Sequence, residues 1–453
     1  MDSEVRAKEQ RDEMRSPQVC PKKLEEAAMT PFLKRLTFFS SSGSFLDGYV
    51  LAIIGVALVD INSEFNLSVG WLSAISASVF AGMFIGAIAG GYLADILGRK
   101  KMFIIDIVGI GVFSLLSIFV ADPVQLIIAR FLVGVFIGAD YPIATSLITE
   151  FVPRSSRATA MGFVMSGWYL GATSAALVGF ALYGLDNSWQ WMLATAVIPC
   201  AIILIGRHDI PETPYWLEKN GKHEESRMII NKYYGGEYEL SSSEKPAKTS
   251  ITLIFQKGYL GRVVFISLLI VCQIIPMYAI YLFGPDILVS FGLNAGKEAL
   301  LGEVVISSFF LLGCLPAIKA LNKIGRRKAL LVSLFFMAAG MFTLAAFPKG
   351  SMIVIVGSFI VYAFFNGAPS ILQWLYPNEI FPTQIRSTAV GFAVAASRIG
   401  SIIGVFVTPL ALASFGIATT MFIAGCLSVF ALILAFFLAP ETKGKTLEET
   451  SSL

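Results

Sequence analysis

The chain has 453 residues, of which 56% are hydrophobic and only 14% are charged. Soluble proteins carry about 25% charged residues, so this composition excludes an ordinary soluble enzyme and indicates many membrane-spanning segments. The net charge of +3 is too small to indicate a nucleic-acid partner. The partner that the composition does predict is the lipid bilayer.

Twelve apolar segments are long enough to cross a hydrocarbon core, six before a polar stretch and six after it. This order predicts an N-terminal segment over 1–35, a six-helix bundle over 36–207, a central loop over 208–260, a second six-helix bundle over 261–438 and a tail over 439–453. The spans are predicted at 36–59, 71–94, 102–120, 124–149, 158–182, 189–207, 262–290, 299–320, 328–347, 351–376, 386–413 and 416–438.

Positive charges distinguish the two sides of the membrane. Basic clusters follow even-numbered spans, as at 99–101 and 326–328, whereas the odd-numbered turns carry only Lys297 and Lys349. Cytoplasmic loops are enriched in lysine and arginine, so we expect both termini in the cytoplasm. The predicted fold class is an all-α membrane protein with twelve transmembrane helices in two six-helix bundles.

The first span is apolar over 43–58 except for one carboxylate, Asp47. An ionised Asp at the centre of a bilayer costs about 2.5–3.5 kcal/mol. A chain keeps such a residue only where it has a partner, a water-filled cavity or a proton to exchange. We therefore predict a functional role for Asp47.

The turn after the second span reads Gly-Tyr-Leu-Ala-Asp-Ile-Leu-Gly-Arg-Lys-Lys over 91–101. Its last four residues return as Gly-Arg-Arg-Lys at a shift of 227 residues, and Glu150-x-x-Pro-x-x-x-Arg157 returns as Glu379-x-x-Pro-x-x-x-Arg386 at a shift of 229. Parallel six-span repeats imply two bundles related by an axis along the membrane normal, with a binding site between them. The turn and its position resemble the signature loop of the major facilitator superfamily.

Further motifs resemble the sugar-porter branch of that superfamily and its metabolite:proton symporters, with a match over about 36–445. They are Arg130-x-x-x-Gly-x-x-x-Gly, the two Glu-Pro-Arg motifs, and Pro-Glu-Thr at 211–213 and 440–442. Other segments look closest to bacterial inner-membrane metabolite transport proteins. The resemblance implies a multi-pass protein of a bacterial inner membrane that carries a small-molecule substrate and is not an enzyme. We expect a monomer with no metal site and no cofactor, driven by the proton gradient.

The resemblance also gives Asp47 a partner, because proton-coupled members pair an Asp of the first span with an Arg of the fourth, here Arg130. A buried Asp beside Arg is ionised, and when the pair opens, desolvation favours its protonation. The alternative is a purely structural ion pair. Asp140, also deep in the fourth span, is a candidate second proton site or substrate ligand, or a carboxylate satisfied by Tyr141 or Thr145.

Arg398 in the eleventh span is the best indication of substrate charge. It is a mid-depth cation without an acidic neighbour on its own helix, and arginine binds carboxylates through two hydrogen bonds. We expect an organic anion there; the alternative is an internal pair with Asp47 or Asp140. Sugar porters carry two glutamines and an asparagine in the seventh span, and only one glutamine is present here. The other candidate substrate-binding residues are Gln273, Tyr278, Tyr281, Trp374, Gln373, Asn366 and Tyr169.

Charges at the predicted cytoplasmic ends resemble the gate of this superfamily, which clamps the two bundles together when the cavity faces outward. The predicted gate residues are Asp95, Arg99, Glu150, Arg157, Glu212, Arg326, Glu379 and Arg386. Glu303, near the outer end of the eighth span, is expected in water.

These features predict a secondary active transporter, a proton-coupled symporter of a small organic acid or related metabolite that works by alternating access. The alternatives are a neutral sugar or polyol carrier and a proton-coupled exporter. A non-transporting nutrient sensor is disfavoured, because such a protein needs a long signalling tail after the last span.

Overall fold

A computed structural model describes residues 22–24, 27–234, 238–239, 259–381 and 383–443. Nearly all of this part is helical. The exception is a two-residue parallel strand pair, which joins Lys22–Lys23 to Tyr238–Glu239. Most of the predicted N-terminal segment and tail, and much of the central loop, lie outside the described residues.

The first six spans form one bundle, called the N-bundle below. Each span agrees with its predicted segment to within a few residues, and its ends carry residues that favour helix boundaries. Asp122, for instance, accepts hydrogen bonds from two backbone N–H groups at the start of span 4, and a proline follows it. Spans 1 to 6 are Pro31–Phe65, Val69–Leu97, Arg99–Leu116, Pro123–Phe151, Arg154–Leu182 and Ser188–His208.

The second six spans form the C-bundle. Span 10 is broken at Asn366, and the long helix Thr383–Leu438 turns at Gly416, whose φ of 74° is accessible to glycine at little cost. That turn divides the helix into spans 11 and 12, which confirms the prediction of twelve spans. Spans 7 to 10 are Tyr259–Ser290, Lys297–Ile324, Arg326–Ala346 and Met352–Phe365 continued by Gly367–Ile380.

The central loop contains more structure than its polar sequence predicted. Thr213 caps a short helix, Pro214–Lys219, by accepting a hydrogen bond from the backbone N–H of Trp216. A second helix, His223–Tyr234, packs beside it. Because the number of spans is even, span 1 begins and span 12 ends at the same membrane face, called the terminal face below.

Glycines allow spans 2 and 4 to pack with their backbones in contact. A Cβ added to Gly82 would lie 2.0 Å from the carbonyl oxygen of Phe131, and one added to Gly138 would lie 2.2 Å from that of Met83. Close helix approach of this kind is typical of membrane bundles. Because lipid removes the hydrophobic driving force between helices, they associate through van der Waals packing, which small residues permit. The contact fixes span 4, and with it the buried charges that span 4 carries.

The two bundles meet along spans 1 and 7, 2 and 11, and 5 and 8. Ser73 in span 2 donates a hydrogen bond to the carbonyl of Phe406 at 3.0 Å. Gly55 in span 1 packs on the backbone of Tyr281, which a Cβ would approach to 2.4 Å. Ser73 and Gly55 both lie in the half of the membrane remote from the terminal face, so these contacts close the interface on that side.

Gly138→Val tests the packing of spans 2 and 4. The added side chain overlaps the Met83 carbonyl, and we expect a loss of about 1–3 kcal/mol of stability or more. The measurement is the melting temperature of the detergent-solubilised protein. The matched control is Gly357→Val, whose Cβ meets nothing within 4 Å; equal melting temperatures for the two variants contradict the packing argument.

Candidate functional site

Asp47 lies at the interface of the two bundles, and its side chain faces residues from both. It is 8% exposed. Trp168 of span 5 lies beside it, and the guanidinium of Arg398 in span 11 is close enough to act on its charge. Tyr278 of span 7 lies beside Arg398, with its ring 5.9 Å from that of Trp168. Side chains from spans 1, 5, 7 and 11, two spans from each bundle, thus bring one carboxylate and one guanidinium together.

The predicted ion pair between Asp47 and Arg130 is wrong for this conformation. Arg130 donates from Nη2 to the carbonyl oxygen of Val50 at 3.0 Å, one turn farther along span 1, and its Nε has no partner. The cation that faces Asp47 is Arg398, which the sequence analysis weighed as an alternative. The physical reason is the contact between the bundles: span 11 packs on span 2, with Arg398 Nη1 3.9 Å from the sulfur of Met83, and from there the guanidinium acts on Asp47.

Asp140 has a cationic partner that the sequence analysis did not identify. Arg207, at the end of span 6, lies 2.8 Å from Asp140 and 3.5 Å from Asp106 of span 3. Its side chain is fully buried and stacks on the ring of Phe103 at 3.4 Å. The side chains of Tyr141 and Thr145, named as alternative partners, lie outside the described part. Arg207 was not predicted because it falls at the end of a predicted span. Asp106, a carboxylate inside an apolar span, could have indicated that a buried cation lies nearby.

Three of the remaining candidate residues join a polar network that crosses the bundle interface, and a fourth packs beside it. Gln273 Nε2 donates to Asn366 Oδ1 at 2.7 Å and to Ser370 Oγ at 3.0 Å. Tyr169, from the N-bundle, donates to Ser370 Oγ at 2.5 Å. Tyr281 packs on this group through the ring of Phe310. The structure therefore brings Tyr169, Gln273, Asn366 and Tyr281 together, as a substrate site requires, and adds Ser370.

Several polar atoms of this site are buried and have no hydrogen-bond partner. An unpaired buried polar group costs about 1–3 kcal/mol, so such atoms identify positions where a ligand can be bound at a gain. They belong to spans 7 and 10 and surround the break at Asn366. The atoms are Gln273 Oε1, Asn366 Nδ2, Tyr281 Oη, Tyr362 Oη and Gln373 Oε1. Trp374, beside Gln373, is half-buried.

Glu303 is not in water, contrary to expectation. It is 2% exposed, accepts a hydrogen bond from Ser307 at 3.0 Å through Oε1, and leaves Oε2 without a partner. The cause is Gly284, which allows span 7 to pack directly on the carboxylate. The C-bundle therefore also contains a buried acid.

The predicted gate residues form two equivalent ion pairs, one in each bundle. Arg99 lies 3.4 Å from Glu150, and Arg326 lies 3.1 Å from Glu379. Each of these pairs joins neighbouring spans of its own bundle. The side chains of Asp95, Arg157 and Arg386 lie outside the described residues.

Glu212 holds the start of span 3, and its repeat partner Glu441 holds the start of span 9. Glu212 Oε1 accepts from the backbone N–H of Arg99 at 3.0 Å, and Glu441 Oε1 accepts from that of Arg326 at 2.9 Å. A carboxylate at a helix N-terminus satisfies free N–H groups and opposes the positive end of the helix dipole. The Pro-Glu-Thr motifs therefore tie the last span of each bundle to its third.

Twelve spans in two repeated bundles, with buried charges and unpaired polar side chains where the bundles meet, define a transporter of the major facilitator superfamily. The sequence model of one family in it, described as "Sugar (and other) transporter", matches residues 36–453, and the chain belongs to this family. It is therefore a multi-pass cell-membrane protein that transports small molecules and is not an enzyme.

Individual relatives agree with this assignment. The chain is 44% identical over 420 residues to the "Putative metabolite transport protein YaaU" of Escherichia coli (strain K12), covering 93% of this chain and 95% of the relative. It is 29% identical over 436 residues to the "Arabinose-proton symporter" of Bacillus subtilis (strain 168), covering 91% and 92%. The partially occluded inward-open structure of the xylose transporter XylE from E. coli matches with a TM-score of 0.78 at 24% identity, covering 92% of this chain and all of that one.

Glu441→Gln tests the helix-terminal contact through its pH dependence. Partial burial raises the pKa of Glu441, but backbone N–H groups of Lys443, Arg326 and Arg327 outweigh it and bring the pKa below its usual value. A lowered pKa stabilises the fold above the unfolded value, about 4.3, and the stabilisation is lost as the pH falls through the folded value.

We therefore expect the variant to melt below the wild type at neutral pH, with the difference closing in acid. The measurement is the melting temperature against pH. The control is Asp186→Asn, an exposed acid in the turn between spans 5 and 6, which should leave the melting temperature unchanged. A difference for Glu441→Gln that is constant with pH rules out the ionised carboxylate as its cause.

Proposed function

We propose that the protein is a proton-coupled symporter of a small organic acid, with Asp47 as the proton site and Arg398 as the residue that binds the substrate carboxylate. The observation that supports this is the shared buried position of Asp47 and Arg398, one from each bundle. Since all the groups of the site come from one chain, we propose that the monomer is the working unit.

The coupling follows from the cost of an unpaired charge in a low dielectric. While Asp47 is ionised, it balances the charge of Arg398, so binding a second anion beside Arg398 is unfavourable. When Asp47 takes up a proton, Arg398 is left as a buried cation without a counter-charge, which is strongly unfavourable. A substrate carboxylate then restores neutrality through charge-assisted hydrogen bonds. Proton and anion are therefore bound together or not at all.

The amide network orients the rest of the substrate. Gln273 Oε1 accepts from a substrate hydroxyl, and Asn366 Nδ2 donates to a substrate oxygen; neither atom has another partner. Tyr169 connects this network to the N-bundle through Ser370. A substrate bound at Gln273 and Asn366 is thus held by the C-bundle, next to a hydrogen bond that crosses the interface which alternating access opens and closes.

A neutral sugar or polyol carrier is the second candidate. The same unpaired amide and hydroxyl groups favour it, because sugars need several hydrogen bonds. The relatives named for arabinose and xylose point in the same direction. In that case Arg398 only balances Asp47. Proton-coupled export uses the same groups with the gradient reversed.

Asp47→Asn tests the proton site. The amide cannot exchange a proton, so we expect no proton-driven accumulation in proteoliposomes, while exchange of labelled for unlabelled substrate continues. The measurement is uptake of a radiolabelled ligand with and without an imposed pH gradient. Wild-type accumulation in this variant eliminates Asp47 as the coupling residue.

Arg398→Gln tests the substrate class. We expect the wild type to be stabilised thermally by carboxylates, more at acidic than at neutral pH, and the variant to lose this stabilisation. The screen compares sugars, polyols and carboxylates at two pH values. The control is Gln273→Ala, which should weaken every ligand but keep the preference for anions. Stabilisation by sugars alone, retained in Arg398→Gln, establishes the neutral carrier instead.

A further inference from the structure

We propose that Asp140 is a proton-transfer group that connects Asp47 to the terminal face, and that Arg207 and Asp106 hold it in its ionised form. This proposal rests on the proposed function, because it takes Asp47 as the coupling site. It adds the route by which the proton reaches or leaves that site, and it assigns a task to two buried charges that substrate binding does not use.

The three residues form a compact charge cluster inside the N-bundle, contributed by spans 3, 4 and 6. Arg207 Nη1 contacts Oδ1 of Asp140 at 2.8 Å and Oδ1 of Asp106 at 3.5 Å, so one guanidinium nitrogen holds the two carboxyl groups next to each other. Two adjacent carboxyls cannot both be ionised beside a single cation. The cluster is neutral when Arg207 is charged and one proton is shared.

The geometry assigns the retained proton to Asp106. Arg207 lies nearer to Asp140, which favours the ionised form there. Asp106 is completely buried, and its Oδ2 accepts no hydrogen bond. Cys200 is the other titratable group facing the cluster, and Asp47 faces Asp140 from span 1. Asp140 is consequently the carboxylate that is able to accept a proton.

A cavity links Asp140 to Asp47. Both side chains line it, with Ser44, Ile137 and Ala144, and it offers about 10 Å³ in which a water molecule can be centred. That is room for about one water. Gly43 makes the approach possible, since a Cβ at this position would lie 1.7 Å from Oδ2 of Asp140. Span 1 thus brings its proton site against span 4 without a side chain between them.

The transfer step is balanced through this water. The Asp47 carboxylic acid donates its proton to the water oxygen while the water donates one of its own to Asp140, so Asp47 becomes ionised and Asp140 neutral. Arg207 lies one residue before His208, the last residue of span 6, whose ring is 83% exposed at the terminal face. Span 6 thus carries Arg207 to the terminal face, and release of the Asp140 proton toward that face restores the neutral cluster.

Trp168 provides a test that needs no substrate, because its indole lies beside Asp47 and its fluorescence should report the charge there. The full chain in lipid nanodiscs is subjected to a rapid pH jump, and the rate and the end point of the fluorescence change are recorded. We expect Asp140→Asn to slow the change about 10²-fold, the usual contribution of a proton-transfer group, with the end point retained. Trp168→Phe verifies the origin of the signal.

Two further variants distinguish the loss of proton transfer from misfolding of the variant protein. Ala144→Val narrows the cavity but keeps every charge, and it should also slow the change. Asp106→Asn is the matched control, since its amide resembles the protonated acid; we expect the wild-type rate. Wild-type rates in both Asp140→Asn and Ala144→Val contradict proton transfer through Asp140. A slow fluorescence change in Asp106→Asn contradicts the assignment of the retained proton to Asp106.

Failure of the proposed function gives a different result. Asp47→Asn should abolish the fluorescence change altogether. If the change persists in that variant, Asp47 is not the group that titrates and both proposals fall. If it disappears while Asp140→Asn and Ala144→Val both keep the wild-type rate, Asp47 remains the proton site and only proton transfer through Asp140 is rejected.

Discussion

The cost of an unpaired charge in a low-dielectric interior governs this structure. Asp47 and Arg398 are each expensive to bury alone, and they come from different bundles, so their mutual neutralisation depends on how the bundles are arranged. Any motion that separates Asp47 from Arg398 leaves two charges to be compensated by a proton, by water or by a substrate. The same constraint inside the N-bundle gives Asp140 and Asp106 a shared arginine, Arg207.

The two bundles share a scaffold but differ in chemistry. Their repeat is structural: Glu212 and Glu441 hold equivalent helix starts, and Arg99–Glu150 matches Arg326–Glu379. The centre of the N-bundle is rich in ionisable groups, whereas the C-bundle contributes amides and hydroxyls around the break at Asn366. This difference fits the roles that we propose: the N-bundle takes up and releases the proton, and the C-bundle makes most of the contacts with the substrate.

Individual residues show how far the sequence could be interpreted. Asp47 and Arg398 were identifiable because a charge inside an apolar span is rare, but their proximity was only one alternative among several. Arg130 was assigned the wrong partner. A guanidinium binds the acceptor that the fold brings nearest to it, here a backbone carbonyl oxygen, and a sequence motif does not contain that information. Arg207 was overlooked at a span boundary, and the burial of Glu303 depends on Gly284 in a different helix.

The sequence by itself determined the number of spans, their approximate ends, the internal repeat and the residue types that carry charge into the membrane. It could do so because hydrophobic length and helix-end chemistry are local properties of the chain. Only the tertiary structure decided which charges meet, which polar atoms lack partners and where a cavity joins Asp47 to Asp140. Those features depend on contacts between helices far apart in the sequence, where glycines such as Gly43 and Gly138 set the distance of approach.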